Sequence, residues 1–464
     1  MKNFYFQGCF VSQLPNSDNV YYRLYINNIH LKGEKLTDAS ESSSIFKTYT
    51  RSFEPLKNRN LRIYLGGQAF SLLGTWMQAT AQSWVVWELT QSESSLGIVV
   101  MLNTLPLFLL APWAGSIADR FNRRAILLIT QSIAMLLAFT LAFLIQTDLV
   151  QIWHIYLFSL ILGIVNTLDF PAQQTFIGDL SGMGQVRQAI TLNIMGLQAA
   201  RMLGPAIAGI VLKLVGSAAA FWINGASFFV VLISLMMVRS HQAESKHSSG
   251  RGQFRESLQF IRSQPRMIDL MVFATMVTFF GLSIFNILPS VADHVLNGDS
   301  QTFGLLLGSS GAGALVSTLV LLPLSQASKH VGRVIIGAAA WMSVFFLLLS
   351  QSTWLTLSMA AIFCVSLGAP LVLTTGLGVL QMLAPNNMRA RIISLFTMIT
   401  FGLQPLASLA IGYSAELIST RIAILINALF LFTGAALMFF FRDGLRQWEL
   451  HPVSHETVMP KKTE

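Results

Sequence analysis

Charged residues are scarce in this chain. Lys, Arg, Asp and Glu together make up 11% of its 464 residues, whereas hydrophobic residues make up 53% and the mean hydropathy is +0.59. This composition excludes a water-soluble globular protein, because too few polar side chains remain to cover its surface. The sequence therefore predicts a protein dissolved in lipid.

Cysteine is nearly absent as well. Cys9 and Cys364 are the only two, one in a polar tail and one inside an apolar run. Such a pair excludes a disulfide framework and a thiolate metal site. The sequence also has no Ser-His-Asp set, no P-loop Gly-x-x-x-x-Gly-Lys and no paired His ligands. We therefore expect no enzyme, no metal and no cofactor.

Long apolar runs are what the sequence has in abundance. A helix needs roughly 20 apolar residues to cross a membrane. Twelve runs, here named spans 1 to 12, meet this rule and start near residues 62, 95, 125, 151, 188, 219, 267, 302, 333, 354, 392 and 422. Gly196-Leu197-Gln198 in span 5 is echoed by Gly402-Leu403-Gln404 in span 11, as in a repeated transporter half. The prediction is an all-α membrane protein with twelve transmembrane helices in two pseudo-symmetric six-helix halves.

The runs divide the chain into five parts. Residues 1–60 are predicted to be a polar, mostly disordered cytoplasmic extension, with a folded accessory element as the alternative. Residues 61–240 and 267–442 are the two halves. Between them, 241–266 is a cytoplasmic linker with a short amphipathic helix, which either lies on the membrane surface or is simply solvated. Residues 443–464 form a cytoplasmic tail.

The net charge of +9 indicates orientation rather than nucleic-acid binding. Among the odd-numbered connections, only Lys213 and Arg421 are basic. Cytoplasmic connections carry an excess of Lys and Arg, so both termini are expected in the cytoplasm with anionic lipid as a partner. The even-numbered connections carry Arg120, Arg123, Arg124, Arg187, Arg239, Lys246, Arg251, Arg255, Arg262, Arg266, Lys329, Arg333, Arg389 and Arg391.

Polar stripes at helical spacing predict a transport path. On span 1 the stripe steps by three and four residues; on spans 7 and 11 polar residues also share a face. Hydroxyls and amides join helices too, so helix packing is the alternative for each member. The members are Gln68, Ser71, Thr75, Gln78 and Gln82 on span 1, Thr275, Thr278 and Asn286 on span 7, and Thr397, Thr400, Gln404 and Ser408 on span 11.

Arg201 is the only Lys or Arg deep inside a span. A charge at that depth costs about 2.5–3.5 kcal/mol on insertion scales, so it needs a partner. Either an anionic part of a substrate or polar groups of the protein would neutralise it. Pro205 frees the Arg201 carbonyl and predicts a helix bend there, which Gly204 and Gly209 allow to pack closely.

The loop between spans 2 and 3 carries a recognisable sequence, Gly115-Ser116-Ile117-Ala118-Asp119-Arg120-Phe121-Asn122-Arg123-Arg124. It resembles the loop 2/3 signature of the major facilitator superfamily, with Asn122 at a usual Gly; Asn is a residue that tolerates positive φ. Three further segments resemble the bacterial branch of enterobactin-exporter-like "transmembrane secretion effector" permeases, although Gln173 and Ala390 depart from its pattern. They are 169–174, 200–205 and 383–391.

This resemblance implies a cytoplasmic latch between the halves. Asp119 would face the amino end of span 11, and Arg123 would pair with Asp169 in span 4; Gly115, Arg120 and Arg124 belong to the same latch. The alternative is that Asp119 only caps a helix and the arginines only anchor topology. The resemblance further implies a bacterial inner-membrane location and, from the Gly-Pro pair in span 5, export.

The expected function is therefore ion-gradient-coupled export of a small amphipathic or aromatic compound, such as a siderophore or drug, by a monomer. Proton coupling needs a titrating carboxylate near the path. Spans 1, 7 and 11 have none near the midplane, which leaves Asp169 as the candidate. The alternatives are a lipid or lysolipid flippase-like carrier and a non-transporting membrane scaffold or sensor.

Overall fold

The computed structural model describes residues 54–181, 185–238, 251–326, 330–385 and 388–442; for 111–116, 118–120, 187, 251–255 and 390 it describes the backbone alone. The regular structure of these residues is helical, with no β-strand among them. The predicted tail at 443–464, residues 1–53 of the predicted extension, 239–240 at the end of the first half and 241–250 of the linker lie outside the described residues.

Twelve helical segments correspond to the twelve predicted spans, which confirms the fold class. Spans 1 to 6 are Arg59–Thr90, Glu93–Arg120, Arg123–Gln146, Ile152–Ser181, Val186–Val215 and Ser217–Met237. Spans 7 to 10 are Pro265–Val295, Ser300–Ser325, Val331–Gln351 and Leu355–Leu383. Span 11 consists of Arg389–Gly402 and Gln404–Leu417, and span 12 is Thr420–Phe441.

Eleven of these described helices are long and apolar enough to cross a membrane by length and composition. Span 1 is the exception, although it is 32 residues long. Its polar stripe lowers its hydropathy, so the helix needs polar surroundings along that face. The molecule provides them in the cavity described below.

The two halves pack through equivalent helices. Span 2 lies against span 11 and span 5 lies against span 8, as a two-fold relation between the halves requires. Small residues bring these backbones together, since a Cβ added to Gly97 would lie 2.4 Å from the Ser408 carbonyl oxygen. A Cβ on Gly304 would lie 2.6 Å from the Gly209 Cα. We call the end of the bundle with the odd-numbered connections the odd end, and the opposite end the even end.

Three spans of the second half depart from regular α-helix. Span 7 contains a π-helical turn, Val277–Gly281, followed by a 3-10 segment, Leu282–Ile287. Span 8 contains a π-helical turn, Ser317–Leu321. Span 11 is interrupted at Leu403. Span 5, where a bend is predicted, continues as α-helix through Pro205.

The described part of the linker forms a helix, Arg251–Ser263. At the even end it packs against Pro265–Met276 of span 7 and Arg389–Gly402 of span 11. Ser257 and Ile261 are buried in this contact. One face of this helix therefore packs against the protein. Contact of its other face with the membrane surface or with solvent stays a prediction.

Candidate functional site

A cavity of about 290 Å³ lies within the first half, among spans 1, 2, 3, 4 and 6. Twelve of its twenty lining residues have polar side chains, and the other eight are apolar. It is lined by Gln68, Ser71, Leu72, Thr75, Gln78, Ala79, Gln82, Ser83, Val99, Val100, Asn103, Gln131, Ala134, Leu162, Val165, Asn166, Asp169, Gln173, Asn224 and Phe228. Asp169 is the one carboxylate in this lining.

The span 1 stripe supplies much of that wall. Gln68, Thr75, Gln78 and Gln82 all line the cavity, as does Ser71. Their spacing keeps them on one helical face, so a single helix presents several amides to one space. The residues predicted from the sequence to share one face of span 1 do line a single cavity. Their role in a transport path stays a prediction.

Neighbouring helices hold two of these amides in place. The Asn224 amide on span 6 donates to the Gln78 Oε1 at 2.7 Å. The Gln82 amide donates to the Ser159 hydroxyl on span 4 at 2.8 Å. Other acceptors are left open, because the buried Oε1 atoms of Gln68 and Gln131 have no hydrogen-bond partner. Buried acceptors without donors are costly, so this wall favours a ligand that carries hydrogen-bond donors.

Asp169 sits on span 4 facing two donors from span 3. Its Oδ1 accepts from the Thr130 hydroxyl at 2.5 Å and from the Gln131 amide at 3.0 Å. Within the described part of the chain it makes no ion pair. A carboxylate in such a place needs a proton or a cation to offset its burial.

The predicted pairing of Arg123 with Asp169 is wrong. Arg123 instead donates to both carboxylate oxygens of Asp179, at 2.6 and 2.7 Å. Both side chains of this pair are at most 9% exposed. Asp179 lies ten residues, or about 15 Å of helix, nearer the even end than Asp169, where Arg123 begins span 3. Depth along the helices therefore decides the pairing.

Two arginines of the predicted latch make contacts within the first half in this structure, and their part in a latch stays a prediction. Arg123 joins spans 3 and 4, and the Arg124 guanidinium donates to the Met236 carbonyl on span 6 at 2.9 Å. All of these spans belong to the first half. Gly115, Asp119 and Arg120 lie in span 2, where only their backbone is described, so a latch through Asp119 stays a prediction.

Asn122 does not use the left-handed conformation that the usual Gly suggested. Its φ is −63° and it caps span 3, accepting at Oδ1 from the backbone N–H groups of Arg124 and Ala125. An Asn side chain is a strong helix N-cap, whereas Gly offers no such acceptor. The substitution thus gives span 3 a defined start.

Arg201 meets an aromatic ring. Its guanidinium carbon lies 5.5 Å from the centre of the Trp76 ring on span 1. A cation over an indole face is stabilised by the ring quadrupole, which offers part of the neutralisation that its depth requires. Trp76 also packs closely on Gly204, where a Cβ would lie 2.6 Å from the Trp76 Cβ. The sequence alone did not identify Trp76, because its contacts with Arg201 and Gly204 exist only in the folded structure.

The predicted path residues of the second half lie outside this cavity. Thr275 and Thr278 donate to carbonyls one turn earlier in span 7. The Asn286 amide donates to the Ser408 hydroxyl on span 11 at 2.8 Å. Thr400 is fully buried with its hydroxyl unpartnered, and Gln404 begins the second helix of span 11.

Polar contacts join the two halves at the odd end. The Trp87 indole N–H donates to Asp293 at 2.8 Å. Lys213 and Asp299 form an ion pair at 3.1 Å between spans 5 and 8. Desolvation opposes ionisation of Asp299, but hydrogen bonds from Thr302 and the nearby Lys213 ammonium outweigh it and lower its pKa. The structure is therefore closed at this end.

A buried carboxyl, which the sequence prediction missed, lies in the same closure. Glu93 begins span 2 and accepts from the hydroxyls of Ser290 and Thr420, both in the second half. A second carboxylate, Glu416, accepts from the Ser92 hydroxyl and the Ser94 backbone N–H across the same interface. Sequence distance hides these contacts, since Glu93 and Thr420 are 327 positions apart.

A protein-family model matches most of the chain. A family described as "Transmembrane secretion effector", within the major facilitator group, matches residues 50–463. Among curated proteins, the staphyloferrin A transporter of Staphylococcus aureus (strain NCTC 8325 / PS 47) is 24% identical over 58% of this chain and 68% of its own length. An uncharacterized MFS-type transporter, YfiS, of Bacillus subtilis (strain 168) is 23% identical over 55% of this chain and 58% of its own length.

Solved structures share the fold. A bacterial homolog of the human lysosomal transporter Spinster, in an inward-facing and unoccupied conformation, matches 86% of this chain and all of that chain with a TM-score of 0.67 at 13% identity. The nucleoside transporter NupG matches 83% of this chain and 99% of that chain with a TM-score of 0.66 at 17% identity. At such identities the likeness concerns architecture alone.

Proposed function

Because the chain belongs to the transmembrane secretion effector family of major facilitator transporters, we propose that it exports a small molecule by proton-coupled alternating access. The observation that carries this proposal is the polar cavity whose one carboxylate, Asp169, lacks an ion-pair partner in the described chain. A protonatable group beside a binding cavity is what coupling requires. With no enzymatic role, the protein acts by moving its substrate.

The proposed substrate is an amphipathic or aromatic compound, such as a siderophore or drug. The cavity offers open amide acceptors at Gln68 and Gln131, which suit hydroxyl or amide donors. Its apolar wall, including Leu162, Val165 and Phe228, suits a hydrocarbon or ring. A curated relative is named for staphyloferrin A, and this supports a siderophore as the first compound to test.

The proposed exchange balances one proton against one substrate. With the odd end closed, substrate enters from the even end, which the excess of Lys and Arg assigns to the cytoplasm. After the halves rock, substrate leaves at the odd end and a proton binds Asp169 there. Protonation cancels the carboxylate charge, so the empty carrier returns without an unpaired charge in its core, and the proton leaves to the cytoplasm.

This proposal includes the location and state of the protein. We place it in the bacterial inner membrane with both termini in the cytoplasm, surrounded by anionic lipid and acting as a monomer. Arg262 and Arg266 lie at the even end with the loops that would meet anionic headgroups. Reaction of single cysteines at the connections with an impermeant reagent in intact cells tests the orientation.

The experiment that tests coupling uses proteoliposomes with an imposed pH gradient and staphyloferrin A or ethidium as the probe. The wild type is expected to move a probe when protons flow the opposite way. Asp169→Asn keeps the shape and removes the titrating group, so pH-driven movement should fall to the level of empty liposomes.

Asp148→Asn is the matched control. The same chemical change is made in an exposed turn, where Asp148 has a φ of 56° that Asn also adopts. It should leave transport at the wild-type rate. Unchanged pH-driven flux in Asp169→Asn would contradict the coupling role of this residue.

A further inference from the structure

The carboxyl of Glu93 is lodged between two hydroxyls of the opposite half. Its Oε1 lies 2.7 Å from the Ser290 Oγ on span 7 and 2.9 Å from the Thr420 Oγ1 at the start of span 12. The two hydroxyl oxygens are themselves 2.7 Å apart. Glu93 is 5% exposed, and Ser290 is fully buried. Three oxygens thus form a closed triangle inside the odd-end interface.

This triangle contains one proton too few if Glu93 is ionised. Three oxygen–oxygen contacts at hydrogen-bond distance need three hydrogens, whereas the two hydroxyls supply only two. An ionised carboxylate accepts hydrogen bonds but has no hydrogen to donate. One contact would then bring two lone pairs together in a buried place, which is unfavourable. A carboxylic acid supplies the third hydrogen and completes the ring.

The neighbouring carboxylate, Glu416, has enough hydrogens around it without a proton of its own. It accepts from the Ser92 hydroxyl at 2.9 Å and the Ser94 backbone N–H at 3.1 Å, and the two serine hydroxyls are 2.9 Å apart. These three contacts have three hydrogens available, one from each hydroxyl and one from the backbone. Glu416 is exposed and balanced as an anion. The need for an added proton is therefore specific to Glu93.

We propose that Glu93 is a proton-binding site and that its carboxyl must be protonated for the odd end to close. When the halves separate there, water hydrogen-bonds to Glu93, and its carboxyl no longer has to supply the third hydrogen. When they close, its burial between Ser290 and Thr420 requires the proton. This inference goes beyond the proposed function, because it concerns closure itself and depends on neither Asp169 nor a substrate.

Other titratable side chains stand at this end of the elements that pack near Glu93. Asp293 accepts from Trp87, and the His294 ring packs edge-on against the same indole. Glu88 accepts from the Trp84 indole N–H on span 1. Further groups at this end are Tyr413 and Glu416 on span 11 and Arg421 on span 12, all exposed. Histidine is the side-chain type that titrates nearest neutrality, so a variant of His294 serves as a separate control.

Closure is measured as a distance across the odd end. Spin labels at Leu149→Cys and Trp354→Cys report it, because these residues lie in odd connections of opposite halves and are 60% and 72% exposed. The full chain carries Cys9→Ser and Cys364→Ser. Double electron–electron resonance is recorded between pH 5.5 and 8.5. The closed-to-open ratio of the wild type should rise on acidification, by up to about tenfold per pH unit, the limit for one linked proton.

Three variants assign the proton. Glu93→Gln carries its own donor, so the closed distance should persist at every pH. In Ser290→Ala only the contact between Glu93 and Thr420 remains, and the Thr420 hydroxyl supplies its hydrogen, so closure should no longer depend on pH. This variant also tests the proposal if Glu93→Gln does not fold. Glu416→Gln, the matched control, should keep the wild-type response.

Two results would overturn the proposal. One is a wild-type distance distribution that does not change with pH. The other is a pH response that survives in Glu93→Gln and Ser290→Ala but disappears in His294→Asn. Loss of transport in the Asp169→Asn variant would leave this assignment unaffected, because the distance measurement needs no transported compound.

Discussion

The Arg123–Asp179 pair is the most deeply buried ion pair among the described residues. Its two partners come from neighbouring helices of one half, so it fixes how spans 3 and 4 meet at the even end. Such a pair is costly to break, because removal of one partner leaves the other charge buried without compensation. In this structure the pair holds a contact between two helices of the same half.

Arg123→Ala is therefore expected to destabilise the protein by about 3–5 kcal/mol. The melting temperature of the purified protein in detergent, followed by differential scanning fluorimetry, should fall by several degrees. Lys213→Ala is the control, since the side chains of Lys213 and its partner Asp299 are 52% and 49% exposed. Its cost should stay within about 1 kcal/mol. Equal losses in both variants would contradict the weight given to burial.

Single residues also show where sequence reasoning ends. The pairing of Arg123 with Asp169 fails because a sequence does not tell the depth of each charge along two packed helices. Glu93 escapes notice for a related reason: beside Ser92 it looks like an ordinary acidic residue in a helix's first turn. Its hydroxyl partners lie 197 and 327 positions away, a separation that no local pattern reports.

At the scale of helices, spans 5 and 8 approach each other through glycine. A Cβ on Gly304 would lie 2.6 Å from the Gly209 Cα and 2.9 Å from the Pro205 carbonyl oxygen. These are backbone atoms, so they yield only if the helices move apart. The small residues predicted to let span 5 pack closely do so against span 8 and, at Gly204, against Trp76.

Gly304→Ala should separate these helices and destabilise the closed odd end, by about 1–3 kcal/mol as for other overpacked contacts. Gly337→Ala is the matched control, because Gly337 lies within span 9 with nothing within 4 Å of an added Cβ. Alanine there should be neutral or stabilising by up to about 1 kcal/mol. Thermal unfolding of the two purified variants decides the matter, and equal melting temperatures would count against close packing at Gly304.

The polar stripes on the helices predicted the cavity lining with different success. Span 1 carries five amides and hydroxyls on one face, and the structure places that face on the cavity. The threonines on span 7 gave the same kind of pattern, yet each donates to a carbonyl of its own helix. A hydroxyl satisfies itself in this way at little cost, whereas a Gln side chain needs an external partner. Amides are therefore the better guide to a cavity.

At the scale of the whole molecule, the polar side-chain contacts that described residues make between the halves lie at the odd end. Glu93, Trp87 and Lys213 of the first half all reach partners in the second. The Trp84 ring stacks on Phe303 across the same interface, with ring centres 6.0 Å apart. Apolar length alone indicates eleven of the twelve helices, but the choice of which end is closed depends on these long-range contacts.

Locking that end should stop transport. Lys213→Cys with Asp299→Cys replaces the ion pair between spans 5 and 8 by two thiols, which a short bifunctional thiol reagent can bridge. In proteoliposomes with staphyloferrin A or ethidium, the reagent should abolish pH-driven movement, and reduction should restore it. Alternating access requires this result, because a carrier held closed at one end cannot release its substrate there.

The control joins two residues of one half at the same end. Gln146 on span 3 accepts from the Trp222 indole N–H on span 6 at 2.9 Å. The pair Gln146→Cys and Trp222→Cys should therefore cross-link equally well while the halves remain free to rock, and transport should continue. If both cross-links stop transport to the same extent, the reagent acts by stiffening the bundle and the rocking of two halves loses its support. If neither does, substrate does not leave through the odd end at all.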